Sequence, residues 1–401
     1  MPFEHVTVVA DGGVYEDWET VVIEQDAQTN IINIMLSTTE ITPVGATTVS
    51  AFDKWNFPPG TIIEVYANGD FVARAIVWQY APSADADQHS ITITAKSAPH
   101  SMNVSSIVSD SGGYYEDKTI YELVQAWAQP LGIQVRNDSL DSRVPFWQIR
   151  QGASVYAESM RVLKNYGHLL HGMMDGGVSV SAGKALGTQG PIVQGENILK
   201  MSARLTDESA DVRIHGQTPY GIDVKQNIQP QAMEQSFLSR NRTKIIMEPA
   251  VVDEQRAQTR ARWEARRASA TGLQCTVTVP GWHAPAGESY VQRNIPFGSD
   301  EGSGGGGPLW QILADVYVLA AWLKINCTLR SARVVFKQSL AEGSVTELTL
   351  VDPASMEAPD MGISAAGSTP CQNGSMWKPR FTSILGGFVD PGFKTGGGFP
   401  G

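Results

Sequence analysis

The stretch NFPPGTIIEVYANGDFVARAIV, Asn56 to Val77, sets two runs of alternating apolar and polar residues around Asn68-Gly69, with Pro58-Pro59-Gly60 ahead of the first. Both central residues of a type I′ turn need positive φ, which glycine adopts freely and asparagine tolerates, so the pair predicts a tight hairpin. The same texture runs from Val6 to Thr94, in VTVVADGGVY, ETVVIEQ, NIINIMLSTTE, TIIEVYANGD, FVARAIVWQY and HSITITAKS. Turn residues recurring roughly every 8 to 12 positions are the signature of an antiparallel sandwich or barrel. One small β-barrel is expected over 1–108, with a strand from 195–217 as a candidate to complete it.

After Gly113 the period changes. In DKTIYELVQAWAQPLGIQV, Ile120, Leu123, Val124 and Trp127 fall on one face of a helix that Pro130 and Gly132 close. In ASVYAESMRVLKNYGHLL, Ser154 is placed to cap, Tyr156, Met160 and Leu163 form the apolar stripe, and Gly167 suits the left-handed position past the end. GGVSVSAG reads as a returning strand, so 109–185 is expected to be a small α/β module inserted between β-rich regions. A third helix, 253–271, carries Ala257, Ala261, Ala265 and Ala268 as a small-residue stripe with five arginines on its other faces. In an acidic chain those arginines are expected to form a solvated face, with Asp253, Glu254 and Glu264 as local partners. LQCTVTVPGW, RSARVVFKQ and VTELTLVDP alternate again and predict a second barrel over 186–355. Residues 356–401 include ten Gly and five Pro without periodicity and are expected to form an extended arm. The fold class is therefore mainly β (α+β).

Composition narrows the function. With 401 residues, roughly two to four compact units are expected, and 42 % apolar against 18 % charged residues excludes disorder for most of the chain. A net charge of -11 sets the whole-molecule field against phosphate backbones, which excludes a DNA-gripping role. The opening MPFEHVTVVADGG reads as strand and turn, not as a secretory signal. The longest apolar run, PLWQILADVYVLAAWLKI, is broken by Asp315 and Lys324 before it reaches the roughly 20 residues a bilayer needs, so no membrane insertion is expected. Cys275, Cys327 and Cys371 are odd in number and far apart in sequence, and buried reduced thiols are expected.

The residues able to do chemistry are sparse. His168 and His171 have metal-ligand spacing on a helix but lack an intervening Glu and a third ligand. GSGGGG, 302–307, satisfies G-x-G-x-x-G without the strand-to-helix crossover that a phosphate cradle needs. Glu16-Asp17 and Asp85/Asp87 offer paired carboxylates of the kind glycoside hydrolysis uses, but in turns, where solvated carboxylates are common. No catalytic, cofactor-binding or metal residue is assigned, no cofactor is expected, and the chain reads as a non-enzyme.

The pieces in order resemble the baseplate hub proteins of contractile-tailed phages, the Mu-like tail protein and late control protein D family. The resemblance is carried by ADGGVYEDWETVVIEQ, FPPGTIIEVYANGDFVARAIV, GASVYAESMRVLKNYGHLL followed by Gly176-Gly177, GENILKMSARLTDESADVRIHGQ, RARWEARRASA, VTVPGWHAPAG, Leu309-Trp310 and RVVFKQSLAEGSVTELTLVDPASM. It covers residues 5 to 356 and departs between Gly287 and Leu309 and in the glycine-rich tail. It implies a homotrimer with two similar barrels per subunit, a pseudo-sixfold ring that joins a sixfold tail tube to a threefold spike and leaves a channel for DNA. The implied partners are the tube or tube-initiator protein, a central spike protein and baseplate wedge or sheath-proximal proteins, with DNA only in passage, in a virion tail assembled in the host cytoplasm. Trp18, Trp55, Trp282 and Trp310 match recurring positions of the family pattern and are expected in the core. Two other readings compete: a tail-associated cell-wall hydrolase, for which no compact carboxylate-rich segment is left over, and a spike component of a contractile secretion system, whose β-helical spike needs regular short repeats.

Overall fold

A computed structural model of the chain describes residues 4–16, 18–41, 56–84, 88–108, 112–138, 142–205, 211–216, 231–234, 242–248, 254–270, 273–285, 307–357, 382–383 and 387–388. Trp55, Asp17, Asp85, Asp87, Cys371, nearly all of the 287–309 loop and most of the arm lie outside them.

The first strands are β1 (Val6–Ala10), β2 (Gly13–Tyr15), β3 (Thr20–Asp26), β4 (Ile32–Ile41), β5 (Ile62–Ala67), β6 (Asp70–Ala84) and β7 (Gln88–Lys96). Strict alternation explains β1 and β3, whose even and odd positions, respectively, are buried. The β5–β6 hairpin turns at Asn68 (φ +52°) and Gly69 (φ +92°), the two positive values that the sequence predicts.

Then come the helix α1 (His100–Val104), β8 (Tyr114–Thr119), α2 (Ile120–Ala128), β9 (Val135–Asp138), β10 (Arg143–Gln148), α3 (Val155–Asn165), β11 (Leu169–Gly172) and β12 (Val178–Ser181). Thr119 and Glu122 form a reciprocal capping box at the start of α2, which buries Ile120, Leu123, Val124 and Trp127. Ser154 accepts from the Ala157 amide at the start of α3, and Gly167 beyond its end has φ +72°. This region has its own core, in which Trp127, Trp147, Leu163 and Val180 are buried.

The chain continues through β13 (Gly187–Val193), β14 (Lys200–Leu205), β15 (Asp211–His215), β16 (Gln231–Glu234), β17 (Thr243–Met247), α4 (Glu254–Ala270), β18 (Leu273–Pro280), β19 (Ala314–Ala320), β20 (Ile325–Ser339) and β21 (Gly343–Val351). Strands β15 to β17 form a separate sheet, against which Ala257, Ala261 and Ala265 bring the α4 backbone close. The arginines of α4 are not a solvated face. Arg260 is 7 % exposed and is held by Glu264 (2.7 Å) and Asn165 (3.3 Å), while Arg267 lies over the Trp263 ring and bonds Gln28. The arginine-bearing side of α4 packs on α3, so the guanidiniums stay by pairing and stacking rather than by hydration.

One antiparallel-dominated sheet of 13 strands runs through most of the molecule in the order β14-β18-β21-β20-β3-β4-β7-β6-β5-β1-β2, with β19 on the other half of β20 and β13 parallel to β19. Its core is continuous from Val8 and Ile23 through Phe336 to Trp282 and Trp310. Trp18 (6 %), Trp282 (0 %) and Trp310 (1 %) are core residues, as expected. Lys200–Leu205 pairs with β18, and Asp211–His215 lies in the separate sheet, so neither strand joins β1–β7 within the chain.

Candidate assembly interface

The groups that invite a chemical reading do not converge. His168 lies between α3 and β11, and His171 is on β11, opposite Ser179, so the pair is not on a helix; Gly167 ends α3 before either is reached. Burial holds His171 neutral, pushing its pKa down to about 4 against a weak pull from Asp138. Among the described residues no group of three His, Cys, Asp or Glu side chains is placed to hold a metal ion, and no helix is long and apolar enough to cross a membrane. Cys275 is a buried free thiol, but Cys327 is disulfide-bonded, contrary to expectation, because separation along the chain does not limit which thiols the fold brings together.

What the geometry does offer is a repeated pattern of strand edges. The spatial order β1-β5-β6-β7-β4-β3 in the first half recurs as β13-β19-β20-β21-β18-β14 in the second, with each strand taking the same place in chain order. Both third members are 15 residues long and bend at a bulge. The register shifts between Val77 and Gln79 in β6, and between Ser331 and Arg333 in β20. Ile76 sits opposite Ile62 and Lys96, as Arg330 sits opposite Asp315 and Val351. An extra residue on one strand bends that strand, so each long strand pairs with one neighbour before the bulge and another after it. One half differs: β1 runs antiparallel to β5, whereas β13 runs parallel to β19.

The two halves meet at a strand joint. Beyond its bulge, β20 accepts β3 as an antiparallel neighbour, Arg333↔Asp26 through Ser339↔Thr20, and an Arg333–Glu24 ion pair (2.8 Å) crosses it. A polar clip locks the joint from the other end. Glu4, buried, accepts from the Trp282 amide (2.9 Å) and from Asn68, and meets His283 Nδ1 at 3.2 Å; His283 Nε2 meets Asp70 at 3.1 Å. Burial works against charge at both residues. The His283 and Trp282 hydrogen bonds nevertheless hold the Glu4 carboxyl below its ordinary range, and the carboxylates of Glu4 and Asp70 hold the His283 imidazole above its own. Asn68 thus serves both the hairpin turn and the clip, a second role that turn chemistry alone does not signal.

No family model matches the chain. The "Baseplate hub protein gp44" of Escherichia phage Mu is 21 % identical over 299 residues, which span 71 % of this chain and 76 % of that protein. In fold, the 43 kDa tail protein of prophage MuSo2 from Shewanella oneidensis matches with a TM-score of 0.70 at 18 % identity, covering 88 % of this chain and 100 % of that one. The tail protein from Neisseria meningitidis MC58 matches with a TM-score of 0.67 at 15 % identity, covering 88 % and 99 %. The chain is similar in sequence to a Mu baseplate hub protein and has the fold of phage tail proteins, in line with the resemblance carried by its motifs.

Proposed function

We propose that the chain is a structural baseplate hub of a contractile phage tail, working without catalysis. Three copies form a ring of six quasi-equivalent units that joins a sixfold tube to a threefold spike and leaves a channel for DNA. The observation that carries this reading is the strand order repeated within one continuous sheet, since two alike units per chain are what a trimer needs to present sixfold symmetry on one face. On this reading the two halves are small barrels, 1–108 and 186–355, the second interrupted by the separate β15–β17 sheet with α4, the α/β module 109–185 stands beside them, and the arm 356–401 reaches toward neighbours. Tube, spike and wedge proteins are the partners, the location is the virion tail after assembly in the host cytoplasm, and the lumen is lined by acidic or neutral residues. The net charge of -11 supports that lining, because a channel lacking clustered cations avoids capture of the passing duplex.

Light scattering on the purified chain, followed by electron microscopy, tests the reading. A particle of three 43.3 kDa chains with an open bore is expected. A monomer that degrades peptidoglycan would establish the hydrolase instead, and a bore lined continuously by Arg and Lys would remove the channel argument.

A further inference from the structure

We infer that copies of this chain join edge to edge, β14 of one copy lying along the post-bulge half of β6 of the next, in the register that β3 and β20 use within one chain. This names the contact behind the trimeric reading and rests on that reading. In the repeated order, β3 corresponds to β14 and β20 to β6, so the joint β3–β20 has a counterpart made of β14 and β6. Within one chain those two strands stand far apart in the sheet order. Among the described residues, β14 pairs only with β18, and β6 beyond its bulge pairs only with β7.

Burial marks the same places. Ala332, Val335 and Phe336 in β20 are 5 %, 4 % and 2 % exposed, whereas their counterparts Trp78, Ala81 and Pro82 in β6 are exposed, Trp78 at 55 %. Leu199, at the start of the β14 edge, is also an exposed apolar residue. A row of unpaired backbone groups beside exposed apolar side chains is what a missing strand leaves behind.

The register follows from the correspondence. Val22↔Lys337 translates to Ser202↔Ser83, Ile23↔Phe336 to Ala203↔Pro82, and Glu24↔Val335 to Arg204↔Ala81. Ile32 turns both its backbone groups toward β7, its carbonyl accepting from the Ser97 amide and its amide donating to the Ser97 hydroxyl, and the Ala27 amide donates to the Ala332 carbonyl of β20; alternation then turns Asn33 to β3 and Ile23, like Ala27, to β20. By the same alternation Ala203 turns its amide to the open edge, where it meets Pro82. Proline supplies a carbonyl there but no N–H, so the joint between copies has one hydrogen bond fewer than the joint within a chain, and a lone edge is guarded against indiscriminate strand addition. Each copy carries one edge of each kind, so the contact is head-to-tail rather than two-fold, and in the trimer it repeats three times to close a ring.

The test uses the full chain carrying Ser83→Cys with Ser202→Cys. Directly opposed residues that do not exchange hydrogen bonds have Cα atoms about 4.5 Å apart, within disulfide range. Mild oxidation is expected to give a covalent trimer on non-reducing electrophoresis, absent from either single variant and from Ser83→Cys with Arg204→Cys, which is displaced by two residues. A particle that remains trimeric by light scattering but does not cross-link at Ser83 and Ser202 would overturn the joint and leave the trimer standing; a monomer would overturn both. As a second arm, Pro82→Ala restores the missing donor. It is expected to lower the trimer's dissociation constant by about twofold to tenfold per joint, and unchanged or weakened association would count against the register.

Discussion

Replacing His283 with glutamine tests the clip that ties the Asn68 hairpin to the second half of the sheet. His283 makes two contacts, to Glu4 at 3.2 Å and to Asp70 at 3.1 Å, from a side chain that is only 14 % exposed. Its raised pKa means that the folded state binds the proton more tightly than the unfolded chain. The stabilisation is therefore fully present below the unfolded value, about 6.5, and is lost as pH rises through the folded value. Glu4 runs the other way: its lowered pKa gives stability that is present above the ordinary glutamate range and lost as pH falls through the folded value. The clip is thus strongest between about pH 4.5 and pH 6.5, with Glu4 charged and His283 protonated. Glutamine keeps one donor and no charge. With hydrogen bonds to charged groups worth about 1.5–3 kcal/mol and neutral ones about 0.5–1.5, the variant is expected to lose about 2–3 kcal/mol at pH 5.5 and about 1 kcal/mol at pH 8.5. Urea unfolding followed by tryptophan fluorescence at both pH values reads this as a larger shift of midpoint in acid. An equal loss at the two pH values, or a larger one in alkali, would refute a protonated His283 in the folded chain.

Other perturbations probe different parts. Gly183→Ala is expected to destabilise by more than about 3 kcal/mol in the same unfolding assay, because φ is +70° and the added Cβ would lie 1.9 Å from the Met356 carbonyl oxygen. Glu158→Gln removes a fully buried carboxylate that accepts from Trp147 Nε1 (3.0 Å) and pairs with Arg150 (3.3 Å) and Arg161 (3.0 Å). A loss of about 3–5 kcal/mol is expected, since guanidinium charge is left beside a neutral buried group. Cys275, buried and with its thiol pushed up to about 12, is expected to resist iodoacetamide at pH 8 in the native chain and to react after denaturation; rapid native alkylation scored by mass spectrometry would contradict its placement.

Local chemistry was legible where one or two residues decide a conformation. Asn68-Gly69 announces its hairpin through φ, Thr119 with Glu122 announces a helix start, and Gly167 announces a helix end. The candidate interface was not legible, because what repeats is the order of strands and the position of a bulge, not the side chains. Trp78 stands where the other half has Ala332, Pro82 where it has Phe336, and Arg204 where it has Glu24. Burial likewise depends on neighbours that local periodicity cannot supply. Helix positions alone make Arg260 and Arg267 solvated, yet α3 and the Asp26–Gln28 turn take up one side of that helix. For His168 and His171 the reason is simpler: their spacing fits a helix, but the left-handed Gly167 has already changed the period from 3.6 to 2.

The seat of β3 between β4 and β20 also orders events during synthesis. Residues 20–26 find one neighbour within a few residues but wait about 300 residues for the other, so the ladder that fuses the halves is among the last to form as the chain emerges. Until Arg333 to Ser339 leave the ribosome, the nascent first half carries an uncovered strand beside its own newly made hydrophobic face. Maturation of the N-terminal segment is therefore set by translation of the C-terminal one, and truncated products that stop short of β20 are expected to aggregate rather than accumulate as a folded half.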